Sequence, residues 1–91
     1  MLKISIRSEG EPTLFELEGK LVGPWVEELE SCWQQMKIAD RHLRVMLKSV
    51  TFIDGAGKKL LAEMHQQGVE LVAEGCMTKA IIEAIIREEN L

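Results

Sequence analysis

The chain has 91 residues, 46% of them apolar and 29% charged, and its 11 basic and 15 acidic side chains leave a formal charge of −4. That composition is too apolar for a disordered chain, and the length is too short for a second core, so residues 1–91 are expected to form a single domain. No apolar run approaches the ~20 residues that span a bilayer, and the acidic balance argues against nucleic acid, whose binding rests on cationic contacts.

Leu2, Ile4 and Ile6 alternate with Lys3, Ser5 and Arg7, the period of a half-buried strand. A signal peptide would instead show a continuous apolar block, so the expected compartment is the cytoplasm. Ser8 to Pro12 reads as a turn. From Thr13 to Glu18 the alternation resumes, with Phe15 and Leu17 on one face and Glu16 and Glu18 on the other. The two runs predict an antiparallel hairpin. Gly19 to Gly23 reads as a loop, after which Pro24 suits a helix's first turn, where its missing N–H costs nothing. Trp25, Leu29, Cys32 and Met36 then form an apolar stripe that Val26 and Trp33 widen, with Glu27, Glu28, Glu30, Gln34 and Gln35 opposite. This is an amphipathic helix with both tryptophans in or beside the core, and its acidic face reads as solvated.

Asp40 to His42 reads as a turn, and Leu43, Val45 and Leu47 alternate with Arg44, Met46 and Lys48 in a third strand, whose apolar character Val50 to Ile53 carries onward. Asp54 can cap a second helix by accepting free N–H groups of its first turn. Leu60, Leu61 and Met64 form its inner stripe, with Ala56 and Gly57 one turn earlier on the same side, and Lys58, Lys59, Glu63 and Gln66 facing out. Gly68 suits a left-handed C-cap. Val69, Leu71 and Ala73 alternate with Glu70, Val72 and Glu74 in a fourth strand. Gly75 turns the chain, Thr78 is placed to cap a third helix with a stripe of Ile81, Ile82, Ile85 and Ile86, and the end after Arg87 is expected to fray.

The predicted order is β-β-α-β-α-β-α, an α/β two-layer sandwich. Helices between strands imply parallel crossovers after the opening hairpin, hence a mostly parallel four-stranded sheet. Strands covered on both sides read as continuous apolar runs. These instead carry Lys3, Arg7, Glu16, Glu18, Arg44, Lys48, Glu70 and Glu74 on one face. All helices are therefore expected on the other face, with the charges pairing across strands.

Little catalytic chemistry is visible. Cys32, Cys76, His42 and His65 stand apart, without the close ligand pairs of a metal site. Ser5, Ser8, Ser31 and Ser49 have no histidine at a recognisable spacing. No enzyme, metal or cofactor is expected. The segment most suited to a function is Thr51 to Lys59, which leaves a core strand and opens a helix, the place where ligands and partners gather in open α/β sheets. Gly55 and Gly57 expose backbone N–H groups at a positive helix end beside Lys58 and Lys59, so a small anion or nucleotide is one reading. Against it, the spacing is not that of a phosphate-binding P-loop, and Asp54 already fills the anion position.

This segment and its surroundings resemble the STAS domain, the fold of bacterial anti-sigma factor antagonists. Leu17-Glu18-Gly19-Lys20-Leu21 resembles that family's strand, glycine and loop ahead of its first helix, and Leu43 to Phe52 its central strand. Ile53-Asp54-Gly55-Ala56-Gly57 resembles its signature, Asp-Ser-Ser/Thr-Gly or a variant, and Val69 to Val72 its next strand. The resemblance implies a non-catalytic module of bacterial signal transduction and transcription regulation. Its partner would be an anti-sigma kinase or a larger signalling complex, met through Asp54, Gly55, Ala56, Gly57, Lys58 and Lys59. As an alternative it admits an accessory subunit of a lipid or anion transporter, and it leaves self-association to a homodimer open. The sequence departs from the family at one position that matters. Gly55 stands where regulated members carry the phosphorylated serine, and Ala56 follows, so no phosphorylation is expected in the signature. Family members also usually continue into a further short element after the last helix, so its isoleucines are expected either to close the core or in part to serve an interface.

Overall fold

A computed structural model of the chain describes residues 2–7, 13–38 and 42–89. The turns read at residues 8–12 and 39–41 and the fraying at 90–91 lie outside the described residues. The elements are β1 (Leu2–Arg7), β2 (Thr13–Leu21), α1 (Pro24–Ile38), β3 (Leu43–Ile53), α2 (Gly55–Gln66), β4 (Glu70–Ala73) and α3 (Cys76–Glu89). The strands form one sheet in the order β1-β2-β3-β4, antiparallel between β1 and β2 and parallel thereafter. Two successive right-handed crossovers stepping in the same direction put their helices on the same side. The expected two-layer sandwich is thus observed.

Burial follows the alternation. Phe15, Leu17, Val45 and Leu47 are fully buried beneath the helices, whereas Leu14, Glu16, Arg44 and Met46 on the other face keep partial access to water. On that open face Arg7 pairs with Glu16 at 3.0 Å and Arg44 with Glu70 at 2.9 Å. Exposed pairs of this kind contribute little stability, but they neutralise a charged surface.

Several details differ from the sequence reading. β2 runs on through Gly19 and Lys20 to Leu21, because the longer β3 offers backbone partners that far, and Gly19 takes φ +110° there. The buried centre of α1 is Val26, Leu29 and Trp33, with Trp25, Cys32 and Met36 half-buried at its flanks, and the Lys37 ammonium lies 4.8 Å over the Trp33 ring. In α2, Leu60, Leu61 and Met64 are buried as expected and Gly57 joins them, but Ala56 faces water. Gly68 has the left-handed φ of +92° that its place after α2 requires. β4 is short: Val69 is buried ahead of it, and Leu71 and Ala73 are half-buried in it.

Thr78 does not cap α3. The helix starts two residues earlier, after Gly75 at φ +94°, and Lys79 N–H donates to Gly75 O at 3.0 Å. The Thr78 hydroxyl is buried and donates instead to Val50 O at 3.0 Å, which fastens α3 to β3. Ile82 and Ile85 close the core, while Ile81 and Ile86 are half-buried beside it. Among the described residues no helix is long and apolar enough to cross a membrane.

Leu61 is fully buried in the core cluster to which all three helices and the sheet contribute. Leu61→Ala is expected to lower unfolding free energy by about 2–5 kcal/mol in a urea titration, the usual cost of emptying such a site.

Candidate functional site

The site is built by an irregularity in β3. Its inward residues run Leu43, Val45, Leu47, Val50 and Ile53, so the spacing of two becomes three after Leu47. The register against β2 slips at the same places: Leu17 faces Leu47 but Glu18 faces Ser49, and Gly19 faces Val50 but Lys20 faces Phe52. Each slip is a bulge that accommodates one extra residue on β3 and re-aims the side chains around it. Phe52, a large apolar ring in a strand, is consequently 56% exposed. Lys48, Ser49 and Thr51 are exposed as well, and the Thr51 hydroxyl donates to Gly19 O at 3.4 Å.

Asp54 then ends the strand and caps α2. One carboxylate oxygen accepts the Gly57 N–H at 2.7 Å and the other accepts the Gly23 N–H at 3.0 Å, while Asp54 N–H donates to Leu21 O at 3.1 Å. The aspartate therefore ties the start of α2 to the loop that opens α1. The Gly23 N–H and then the Gly57 N–H hold its carboxyl below the ordinary carboxylate range.

The two glycines of this turn differ. A Cβ on Gly57 would lie 2.9 Å from Ile53 Cγ2 and 2.9 Å from Leu21 O, so only glycine lets α2 meet the end of β2 this closely. A Cβ on Gly55 would meet nothing within 4 Å. A side chain, serine included, would fit there.

Of the six residues expected to meet a partner, Gly55, Ala56, Lys58 and Lys59 are exposed together on the first turn of α2. Gly57 is buried and serves packing, and Asp54 is half-buried with both oxygens engaged by backbone donors. Sequence reasoning missed Phe52 as an exposed residue and did not place Lys48 or Ile81 beside this turn, where they line a surface shared with Lys58. The available signal was the broken alternation at Val50 and Ile53.

The remaining candidates for chemistry do not converge. Asp54 follows the C-terminal end of β3, whereas exposed His42 precedes its N-terminal end. Cys32 is half-buried, and burial, with the Glu28 charge adding, pushes its thiol up and keeps it protonated. Among the described residues no group of three or more His, Cys, Asp or Glu is placed to hold a metal ion.

No protein-family model matches the chain, and no curated protein matches it either. Solved structures do. Mglu is similar over 79% of this chain at 22% identity and TM-score 0.62, and Mglu in its native form over 77% at 19% identity and TM-score 0.62. The matches cover 19% and 22% of those two chains, so this chain spans about a fifth of their length. An uncharacterized protein of the DUF3478 family from Shewanella loihica PV-4, with a SpoIIAA-like fold, is similar over 85% of this chain and 70% of its own, at 14% identity and TM-score 0.55. At these identities the likeness shows the fold, and that fold is STAS-like.

Three variants test the site's construction. Gly57→Ala is expected to lose about 1–3 kcal/mol through overpacking against backbone, and Gly55→Ala to gain about 0.4–1 kcal/mol by restricting the unfolded chain; both are read by denaturant midpoints. Because the folded-state pKa of Asp54 lies below the unfolded one, its charge stabilises the fold above the ordinary carboxylate range, and that contribution is lost as pH falls through the folded value. Thermal midpoints between pH 5 and 2 should therefore fall less steeply in Asp54→Asn than in the parent, which starts from a higher value.

Proposed function

We propose that the chain is a non-catalytic protein-interaction module of bacterial signalling, similar to an anti-sigma factor antagonist but lacking the phosphoacceptor hydroxyl. It docks on a regulatory protein through the first turn of α2 and the bulged end of β3. The observation that carries this reading is Phe52, an aromatic ring 56% exposed beside Lys48 and Lys58. Burying such a ring in the chain's own core would gain stability, and aromatic residues, phenylalanine among them, are enriched at protein interfaces relative to the rest of the surface. The STAS-like fold supports the reading, since the docking turn is the one the family resemblance pointed to.

The aspartate is kept for architecture, not for chemistry. Its charge also sits where an anion would have to bind, which weighs against a phosphate or nucleotide at Gly55 to Lys59. With glycine at position 55, a phosphoryl group cannot be attached at that position to interrupt docking, so the module binds without that switch.

A photo-crosslinking residue at position 52 or 59 should capture a discrete partner in bacterial cells, and one at Gln34 on the outer side of α1 should not. Lys58→Glu should weaken capture at least tenfold with unchanged circular dichroism. Equal capture from all three positions, or capture indifferent to Lys58→Glu, would overturn the reading. Intact mass after incubation with an anti-sigma kinase should show no phosphoryl addition; addition at Ser49 or Thr51 would restore a phosphorylation switch beside the docking turn.

A further inference from the structure

Two depressions on the surface meet at Lys58 and Ile81. One, about 740 Å³, passes Phe52 at the end of β3. The other, about 580 Å³, runs between α2 and α3 with Ala62, Ala80 and Ala84 on its walls and Ile81 and Ile85 on its floor. Small walls over an apolar floor let another element come close, as at helix contacts with interaxial distances near 8 Å. The charged residues lining this valley are Lys58 and Lys59, both cationic in a chain of charge −4. The adjoining depression adds Lys48 and Glu74, so the joined surface keeps a net positive charge.

The walls also decide what kind of backbone fits. Strand addition needs unpaired N–H and C=O groups at a sheet edge, whereas the sides of two helices have their backbone groups bonded internally. The valley therefore recognises side chains on one face of a helix. On α2 the lining runs from Gly55 to Ala62, so at about 1.5 Å per residue the valley accommodates roughly two turns. A second copy of this chain offers no suitable helix among the described residues. α1 has an acidic outer face, but Val26, Leu29 and Trp33 are buried in its own core, as are Ile82 and Ile85 of α3.

Resting on the docking function above, we propose that the α2–α3 groove receives an acidic amphipathic helix of the partner protein. Its apolar face lies on the half-buried Ile81 and the exposed Ala80 and Ala84, and its carboxylates meet Lys58 and Lys59.

The test is a display selection on the whole chain, using a library of amphipathic helices of about two turns or more with randomised flanking positions. Enriched sequences should be helical, with Asp and Glu beside the apolar face. Their affinity should fall at least tenfold on Ala84→Glu and on Lys58→Glu/Lys59→Glu, with thermal midpoints confirming that the variants fold. Ala80→Glu, also at an exposed position, provides a second obstruction of the same valley. Enrichment of extended or basic sequences, no enrichment, or binders indifferent to the alanine variants would each overturn the proposal. Binders of other chemistry that are still lost on Phe52→Asp would overturn the acidic helix and leave the docking function standing. Binders indifferent to every one of these changes would overturn both.

Discussion

The carboxylate of Asp54 joins two strand-to-helix crossovers that the chain builds one after the other. With one oxygen it holds the start of α2 and with the other the loop that opens α1. Around it the backbone is drawn together as well: Asp54 N–H reaches Leu21 O, and Gly57 packs against that same carbonyl. One charged side chain thus satisfies donors from two loops that are distant in sequence, where water would otherwise compete for them. The requirement for glycine at position 57 follows from the closeness of this junction.

What the junction presents follows from β3. A strand that kept strict alternation to its end would bring every second residue to the core. The two bulges break the alternation, let Val50 and Ile53 face inward three residues apart, and leave Lys48, Ser49, Thr51 and Phe52 outside. The carbonyl of Val50, lying between the slips, accepts the Thr78 hydroxyl and so anchors α3. The irregularity that exposes Phe52 also positions the helix forming one wall of the neighbouring groove.

The turn at the start of α2 is consequently assembled from parts with separate duties. Asp54 and Gly57 maintain the turn, Gly55 and Ala56 are its exposed crest, and Lys58 and Lys59 give it charge. The first two are engaged by backbone and packing, whereas the two lysines are exposed. Because Gly55 has room around it, its lack of a side chain is not imposed by packing. The sequence is free there to carry a hydroxyl and carries none.

Much of the architecture was legible because it follows local periodicity. One-sided alternation in the strands at Phe15 and Leu17 or Val45 and Leu47 implied a sheet covered on one face, and right-handed crossovers then set the helix side. Asp54 as a helix cap and Gly68 as a left-handed terminus were legible for the same reason, since each depends on its immediate neighbours. Tertiary contacts decided the rest. The second hydrogen bond of Asp54 goes to Gly23, which is 31 residues away. Thr78 had the chemistry of a cap but was taken by a carbonyl 28 residues distant. The outward turn of Phe52 depends on register slips against β2, and a register exists only once two strands have paired.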